Sequence, residues 1–196
     1  MYHDRPDLTA LIGSRICHDL TSPLGAIGNG VELLAMSGVG DSEEMRLIAG
    51  SIACANARIR FFRIAYGRAE AGAQLASPEI LSTLGDYFHD SRIRMTWHPR
   101  EQVPRTVLRR LFLAIQCLES ALPFGGRIDV RHETGMWEVA GESPRLRAEG
   151  LPWPLLRGDA VPAGLGPAQV QFALLGQAGG GAVEVALGER SLYLRL

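Results

Sequence analysis

Apolar positions follow two regimes along the chain. In the first, Ile16, Leu20, Leu24, Ile27, Val31 and Leu34 step by fours and threes, and Met45, Ile48, Ile52, Ala55, Ile59, Phe62 and Tyr66 alternate threes and fours throughout. Such spacings stack side chains on one helix face, and a stripe this narrow has the form of a coiled-coil seam. Gly38-Val39-Gly40 ends the first helix, and Asp41, with Glu44 as its reciprocal partner, caps the second. Residues 7–70 therefore predict a helical hairpin. A lone hairpin buries too little apolar surface, whereas two copies form a four-helix bundle, so a homodimer is expected.

After Gly72 the periodicity changes. Pro78–Phe88 and Pro104–Leu122 read as helices, the latter with proline at its start, where it is tolerated. Arg92–His98, Arg127–His132 and Met136–Ala140 alternate as strands, the last two separated by a turn at Gly135. Pro167–Ala178 predicts a further helix, and Ala182–Leu187 with Ser191–Leu196 a closing hairpin. Helices and antiparallel strands in this order predict a two-layer α/β sandwich with helices on one face. The expected organisation is a helical hairpin over 1–72 and an α/β domain over 73–196.

Composition narrows the functions. With 46% hydrophobic and 21% charged residues, the 196-residue chain can bury a core and stay soluble. A net charge of -1 removes the general electrostatic case for nucleic-acid binding. The three cysteines, Cys17, Cys54 and Cys117, form no CxxC pair, which suits a reducing compartment. Met1 is followed by Tyr2-His3-Asp4-Arg5-Pro6, neither a signal nor a transit peptide, so a cytoplasmic location is expected. The uncharged stretch 160–183 is interrupted by Pro162, Pro167 and six glycines, too often for a membrane span.

His18 is the candidate reactive residue. At about 100° per residue it lies roughly 200° from both Ile16 and Leu20, on the face opposite the stripe. Ser14 and Arg15 lie one turn before it and Ser22 one turn after. Pro23 cannot donate to the carbonyl of Asp19, so the helix should bend or loosen there. A neutral imidazole is a nucleophile at pH 7. Asp19 is placed to accept one ring N–H and leave the other nitrogen free. Phosphoryl transfer asks mainly for in-line positioning and charge stabilisation, and Arg15 could neutralise phosphoryl charge. Taken alone, these residues fit an unreactive surface histidine beside a helix kink better than a reactive one.

The motif Ser14-Arg15-Ile16-Cys17-His18-Asp19-Leu20-Thr21-Ser22-Pro23-Leu24 resembles the phosphoacceptor helix of sensor histidine kinases. That resemblance implies that Asp19 assists phosphotransfer and places Ser22 where kinases more often carry Thr or Asn for dephosphorylation. The C-terminal half is similar to the kinase catalytic (Bergerat-type) domain without its ATP site. Gln116 and Ser120 stand where two asparagines bind magnesium and nucleotide, and Val139-Ala140-Gly141-Glu142-Ser143-Pro144 replaces the Asp-x-Gly-x-Gly loop. Gly164-Leu165-Gly166-Pro167 is what remains of the last glycine box, equally readable as a simple helix-start turn. The whole chain resembles the ChpT-like histidine phosphotransferases. Membership implies a dimer that relays phosphoryl groups between receiver domains of a hybrid kinase and of response regulators. It implies a phosphotransfer intermediate rather than an ATP-dependent kinase, and no cofactor of its own. Mg2+ would then come from the partner receiver.

Arg46, Arg58, Arg60, Arg63 and Arg68 of the second helix offer a receiver-docking surface or a solvated face. His89, His98 and His132 share no ligand spacing and are read as structural, as are Trp97, Trp137 and Trp153. Two rival readings remain: a divergent ATP-binding kinase, and a dimeric scaffold that ignores His18.

Overall fold

The structure is a computed structural model that describes residues 8–37, 43–67, 72–179 and 182–196. Helix α1 (Leu8–Ser37) runs unbroken through Pro23, and α2 (Glu43–Ala65) packs along it. The capping residue Asp41 and the glycines before it lie outside the described residues, as does Arg68. Glu43 and Glu44 open α2 and Arg63 closes it, each charge complementing its end of the helix dipole.

The α2 seam divides in two. Ile48, Ala55 and Phe62 are buried, whereas Met45, Ile52 and Ile59 are 42%, 44% and 49% exposed. Each set repeats every seven residues, so one line faces the rest of the chain and the other is uncovered. The α1 stripe departs from expectation at Leu24, which is exposed.

Helix α3 (Ser77–Tyr87) precedes a five-stranded sheet in the order β2-β4-β5-β7-β6. These strands are β2 (Ile93–Trp97), β4 (Gly126–Glu133), β5 (Met136–Glu142), β6 (Glu184–Leu187) and β7 (Ser191–Arg195). Two short strands, β1 (Gln74–Leu75) and β3 (Val103–Pro104), pair separately. One expectation is corrected: β2 and β4 are parallel, with Arg94 beside Arg127 and Thr96 beside Asp129. Alternation reports which face a residue occupies and carries no strand direction. Here α4 (Arg105–Ala121) is long enough to return the chain to the same end of the sheet. The remaining pairs are antiparallel. Thr134 and Gly135, both at positive φ, make the two-residue turn between β4 and β5. Gly126 approaches so closely that a Cβ would strike the Glu142 carbonyl, which fixes the start of β4.

Helix α4 is the centre of the core. Leu108, Leu111, Phe112, Leu113, Ile115 and Leu118 are fully buried. The inner sheet face meets them with Ile128, Val130, Val139, Leu192 and Leu194. Each such side chain contributes about 1.5–3 kcal/mol on leaving water. The predicted helix at Pro167 is a 3-10 turn over Pro167–Gln169 followed by α5 (Val170–Gln177). An unpredicted 3-10 segment, Trp153–Arg157, packs on α5. The lower half of α2 is welded to the α/β layer by aromatics: Phe61 stacks on Tyr87 at 4.0 Å and leans on Phe112 at 4.7 Å. No helix among the described residues is long and apolar enough to cross a membrane.

Candidate functional site

The continuous helix α1 carries His18 and Asp19 about three turns from its start. The side chains of Ser14, Cys17 and His18 lie outside those described. Those of Arg15, Asp19 and Ser22 are placed. Arg15 Nε donates to Asp19 Oδ2 at 2.8 Å, one helical turn apart, and Arg58 Nη1 of α2 stands 4.0 Å from the same oxygen. The Asp19 side chain is 9% exposed, so the two cations compensate a carboxylate largely removed from water.

Beside this pair, α1 and α2 form a groove of about 660 Å3. Asp19 and Ser22 line one wall, Arg46, Cys54 and Arg58 the other, and Asp90, just beyond α3, closes one end. Ser22 is exposed and Pro23 buried, so the proline packs while the hydroxyl faces the opening. Of the arginines singled out on α2, Arg46 and Arg58 line this groove. Arg60 is bound to Asp86 at 2.8 Å, and Arg63 lines a separate pocket with Arg105. The groove brings hydroxyl, guanidinium and carboxylate groups to one concave surface on a helix pair.

Arg15 also reaches the C-terminal layer, donating to the Ala168 carbonyl at 3.5 Å in the turn before α5. Burial works against its charge. Asp19 first, then Tyr66, Tyr87 and Glu119, outweigh that and hold its pKa above the usual arginine value. Arg58 is also held high against its burial, with the Cys54 thiol foremost among the compensating groups. Tyr87 donates to Glu119 Oε2 at 3.1 Å, and burial, followed by the Glu119 charge, pushes its phenol well above the ordinary range.

The positions standing for the kinase asparagines are occupied by contacts within the chain. Gln116 is buried, and its Oε1 accepts from the Tyr66 hydroxyl at 2.5 Å. Ser120 Oγ accepts from Gln171 Nε2 at 2.9 Å and donates to the Gln116 carbonyl at 2.9 Å. Gly164–Pro167 opens only the short 3-10 turn. Sequence reasoning treated Tyr66 as the end of a core stripe and passed over Glu119, Cys54 and Asp90. Glu119 is the one acidic residue of α4, and that was the available signal for it.

His98 meets Asp129 at 3.3 Å, His132 meets Glu101 at 2.8 Å, and His89 meets Asp90 at 2.9 Å. Among the described residues no group of three or more His, Cys, Asp or Glu could hold a metal ion. Trp97 and Trp153 are buried as packing residues.

Residues 77–190 match the family described as the histidine phosphotransferase C-terminal domain. The chain is 40% identical over 129 residues to the protein phosphotransferase ChpT of Brucella abortus (strain 2308). That alignment covers 65% of this chain and 61% of the relative's own length. The solved structure of a bacterial phosphotransferase superposes with a TM-score of 0.78 at 30% identity, over 96% of this chain and 95% of that one. With well over half of its length inside that family domain, and a solved phosphotransferase sharing its fold from end to end, the chain belongs to the histidine phosphotransferase family.

Proposed function

We propose that this protein is a phosphorelay intermediate that receives a phosphoryl group on His18 from an aspartyl phosphate of one receiver domain and passes it to another. The groove lined by Asp19 and Ser22, on the helix that carries His18, and by Arg46 and Arg58 of the second helix carries the reading. In the forward step a neutral imidazole nitrogen attacks phosphorus. The N–P bond forms, the P–O bond to the receiver aspartate breaks, and that carboxylate leaves. The second ring nitrogen keeps its proton, which Asp19 accepts as a hydrogen bond. The return step is the same displacement reversed onto a second aspartate. Little covalent work falls to the protein, so positioning and charge balance decide the rate. Mg2+ belongs to the receiver, which brings it with the phosphoaspartate.

The uncovered line Met45, Ile52 and Ile59 supports a homodimer, in which the α1–α2 hairpin supplies half of a four-helix bundle. Hybrid kinases and response regulators are the expected partners, as the resemblance to ChpT-like phosphotransferases implies. The test is transfer of radiolabel from a pre-phosphorylated receiver, with His18→Ala alongside. Acid-labile, alkali-stable label that requires His18 is expected. Equal labelling of parent and variant, or none from several receivers, overturns the proposal.

A further inference from the structure

We propose that the outer face of the sheet carries a binding site for a nucleoside polyphosphate, with its phosphates on Arg92, Arg94 and Arg190 and its base against Tyr193. This is the face turned away from α4. Ile93, Ile128, Val139 and Leu192 are buried in the core. Residues that alternate with them line an open cavity of about 610 Å3 on the other side. A space of that size suits a small molecule. Gln116 and Ser120, at the kinase-like nucleotide positions, belong to α4 in the helical layer, so the two surfaces are separate.

Positive charge is concentrated in the cavity. Strand register sets Arg94, Arg127, Glu142 and Ser191 side by side across β2, β4, β5 and β7. Arg92 enters from just before β2 and Arg190 from the turn before β7. Four guanidinium groups therefore line one cavity against a single carboxylate. Arg127 takes that carboxylate, 3.1 Å from Glu142, together with Asp129 at 2.7 Å. No ion pair among the described residues involves Arg92, Arg94 or Arg190. Neighbouring cations on a sheet face repel, so folding alone gives no reason to set Arg94 beside Arg127. The planar fork of arginine matches phosphate oxygens with two parallel N–H bonds. The main chain holds the two loop arginines in place. The Gly126 N–H donates to the Arg92 carbonyl at 3.2 Å, and the Ser143 N–H to the Arg190 carbonyl at 3.0 Å. Binding an anion there costs little ordering of backbone.

Two observations choose the ligand. In the next row of the sheet Tyr193 lies between Ala140 and Ala186, whose methyl groups are too short to cover its ring, and it lines the same cavity. An aromatic ring beside phosphate-binding arginines is a platform on which a nucleobase stacks. One row further, Arg131, Glu138, Arg195 and Glu184 alternate in sign, with Arg195 bonded to Glu138 at 2.9 Å. The positive patch is thus short, bounded by a row that neutralises itself, and fits a compact anion in place of a nucleic-acid strand. An acidic peptide adding to the sheet would pair with an edge strand, β2 or β6, whereas this cluster runs across the face from β2 to β7.

The test is isothermal titration calorimetry of the full chain with ATP, GTP, tripolyphosphate and adenosine, repeated on Arg94→Ala, Arg190→Ala, Tyr193→Ala, Tyr193→Phe and Ser120→Ala. A purine triphosphate should bind more tightly than tripolyphosphate or adenosine. Each arginine substitution should weaken it by about tenfold or more. Tyr193→Ala should weaken it about tenfold, and Tyr193→Phe, which keeps the ring, should match the parent. Arg94 and Arg190 are exposed, so their variants should keep the parent's melting temperature. Ser120→Ala, in the helical layer, should bind as the parent does. Absence of binding by both triphosphates overturns the inference, as does binding that survives Arg94→Ala and Arg190→Ala. Loss in Ser120→Ala alone overturns it by moving the site to the kinase-like position. Tripolyphosphate binding as tightly as ATP overturns it too, because Tyr193 then contributes nothing. Phosphotransfer through His18 is a separate property, and none of these outcomes bears on it.

Discussion

Tyr66→Phe removes one oxygen and nothing else. Its hydroxyl donates to Gln116 Oε1 at 2.5 Å, and Gln116 is 1% exposed on the central helix. Phenylalanine fills the same space, so no cavity term enters. What remains is the loss of one hydrogen bond and a buried amide oxygen whose nearest alternative donor, Tyr87, is committed to Glu119. An unsatisfied buried acceptor costs about 1–3 kcal/mol, and the close approach of Tyr87 argues for the lower half of that range, about 1–2 kcal/mol. For a chain of 196 residues, each kcal/mol moves the melting temperature by about 2–4 °C. Tyr66→Phe should therefore melt about 2–8 °C lower by differential scanning calorimetry. Gln116→Leu and the double variant complete a cycle. If the contact is real, the two losses are not additive, because the second substitution removes a group already orphaned by the first. A melting temperature within a degree of the parent's, or full additivity in the cycle, would refute the assignment of this bond as the tie between α2 and α4.

Two further changes probe other levels of the structure. Ile59→Glu puts a charge on the uncovered line of α2, where Ile59 is 49% exposed, and should shift the mass in sedimentation equilibrium from dimer to monomer. Each isoleucine withdrawn from water contributes about 1.5–3 kcal/mol, counted once per protomer, so dissociation should be plain at micromolar concentration; an unchanged mass refutes the bundle. Gly176→Ala places a methyl against the Leu155 carbonyl, which belongs to backbone and cannot swing aside. A loss of about 3 kcal/mol in urea unfolding is expected, against almost none for Gly164→Ala, which meets nothing.

The helices were legible because their apolar positions repeat. The α2 seam, α3 and α4 lie within a residue or two of where periodicity puts them. The β4–β5 turn was legible because Gly135 follows an alternating run. Strand direction was not, since alternation is the same for parallel and antiparallel neighbours. Trp153–Arg157 was missed because two prolines within four residues, Pro152 and Pro154, look like loop, yet a 3-10 turn accepts proline at its start. At the site, the reading of residues 15, 19 and 22 gave the right helix and turn spacing. It placed Arg15 on the outward face of the helix, whereas Arg15 is bound to Asp19 and also donates to the Ala168 carbonyl before α5. That contact spans 153 residues of sequence, and no local pattern reports it. Glu119 was hidden for a related reason: attention fell on 116 and 120, the positions with a kinase counterpart, and the residue between them has none.

The hydrogen bonds that fill the two asparagine positions also bear on how such a chain can change over generations. Gln116 ties α4 to α2 through Tyr66, and Ser120 ties it to α5 through Gln171. An asparagine at 116 is one methylene shorter and would fall away from the Tyr66 hydroxyl. An asparagine at 120 would crowd the Gln171 amide. Each such substitution would loosen a joint, and the two joints lie on different elements.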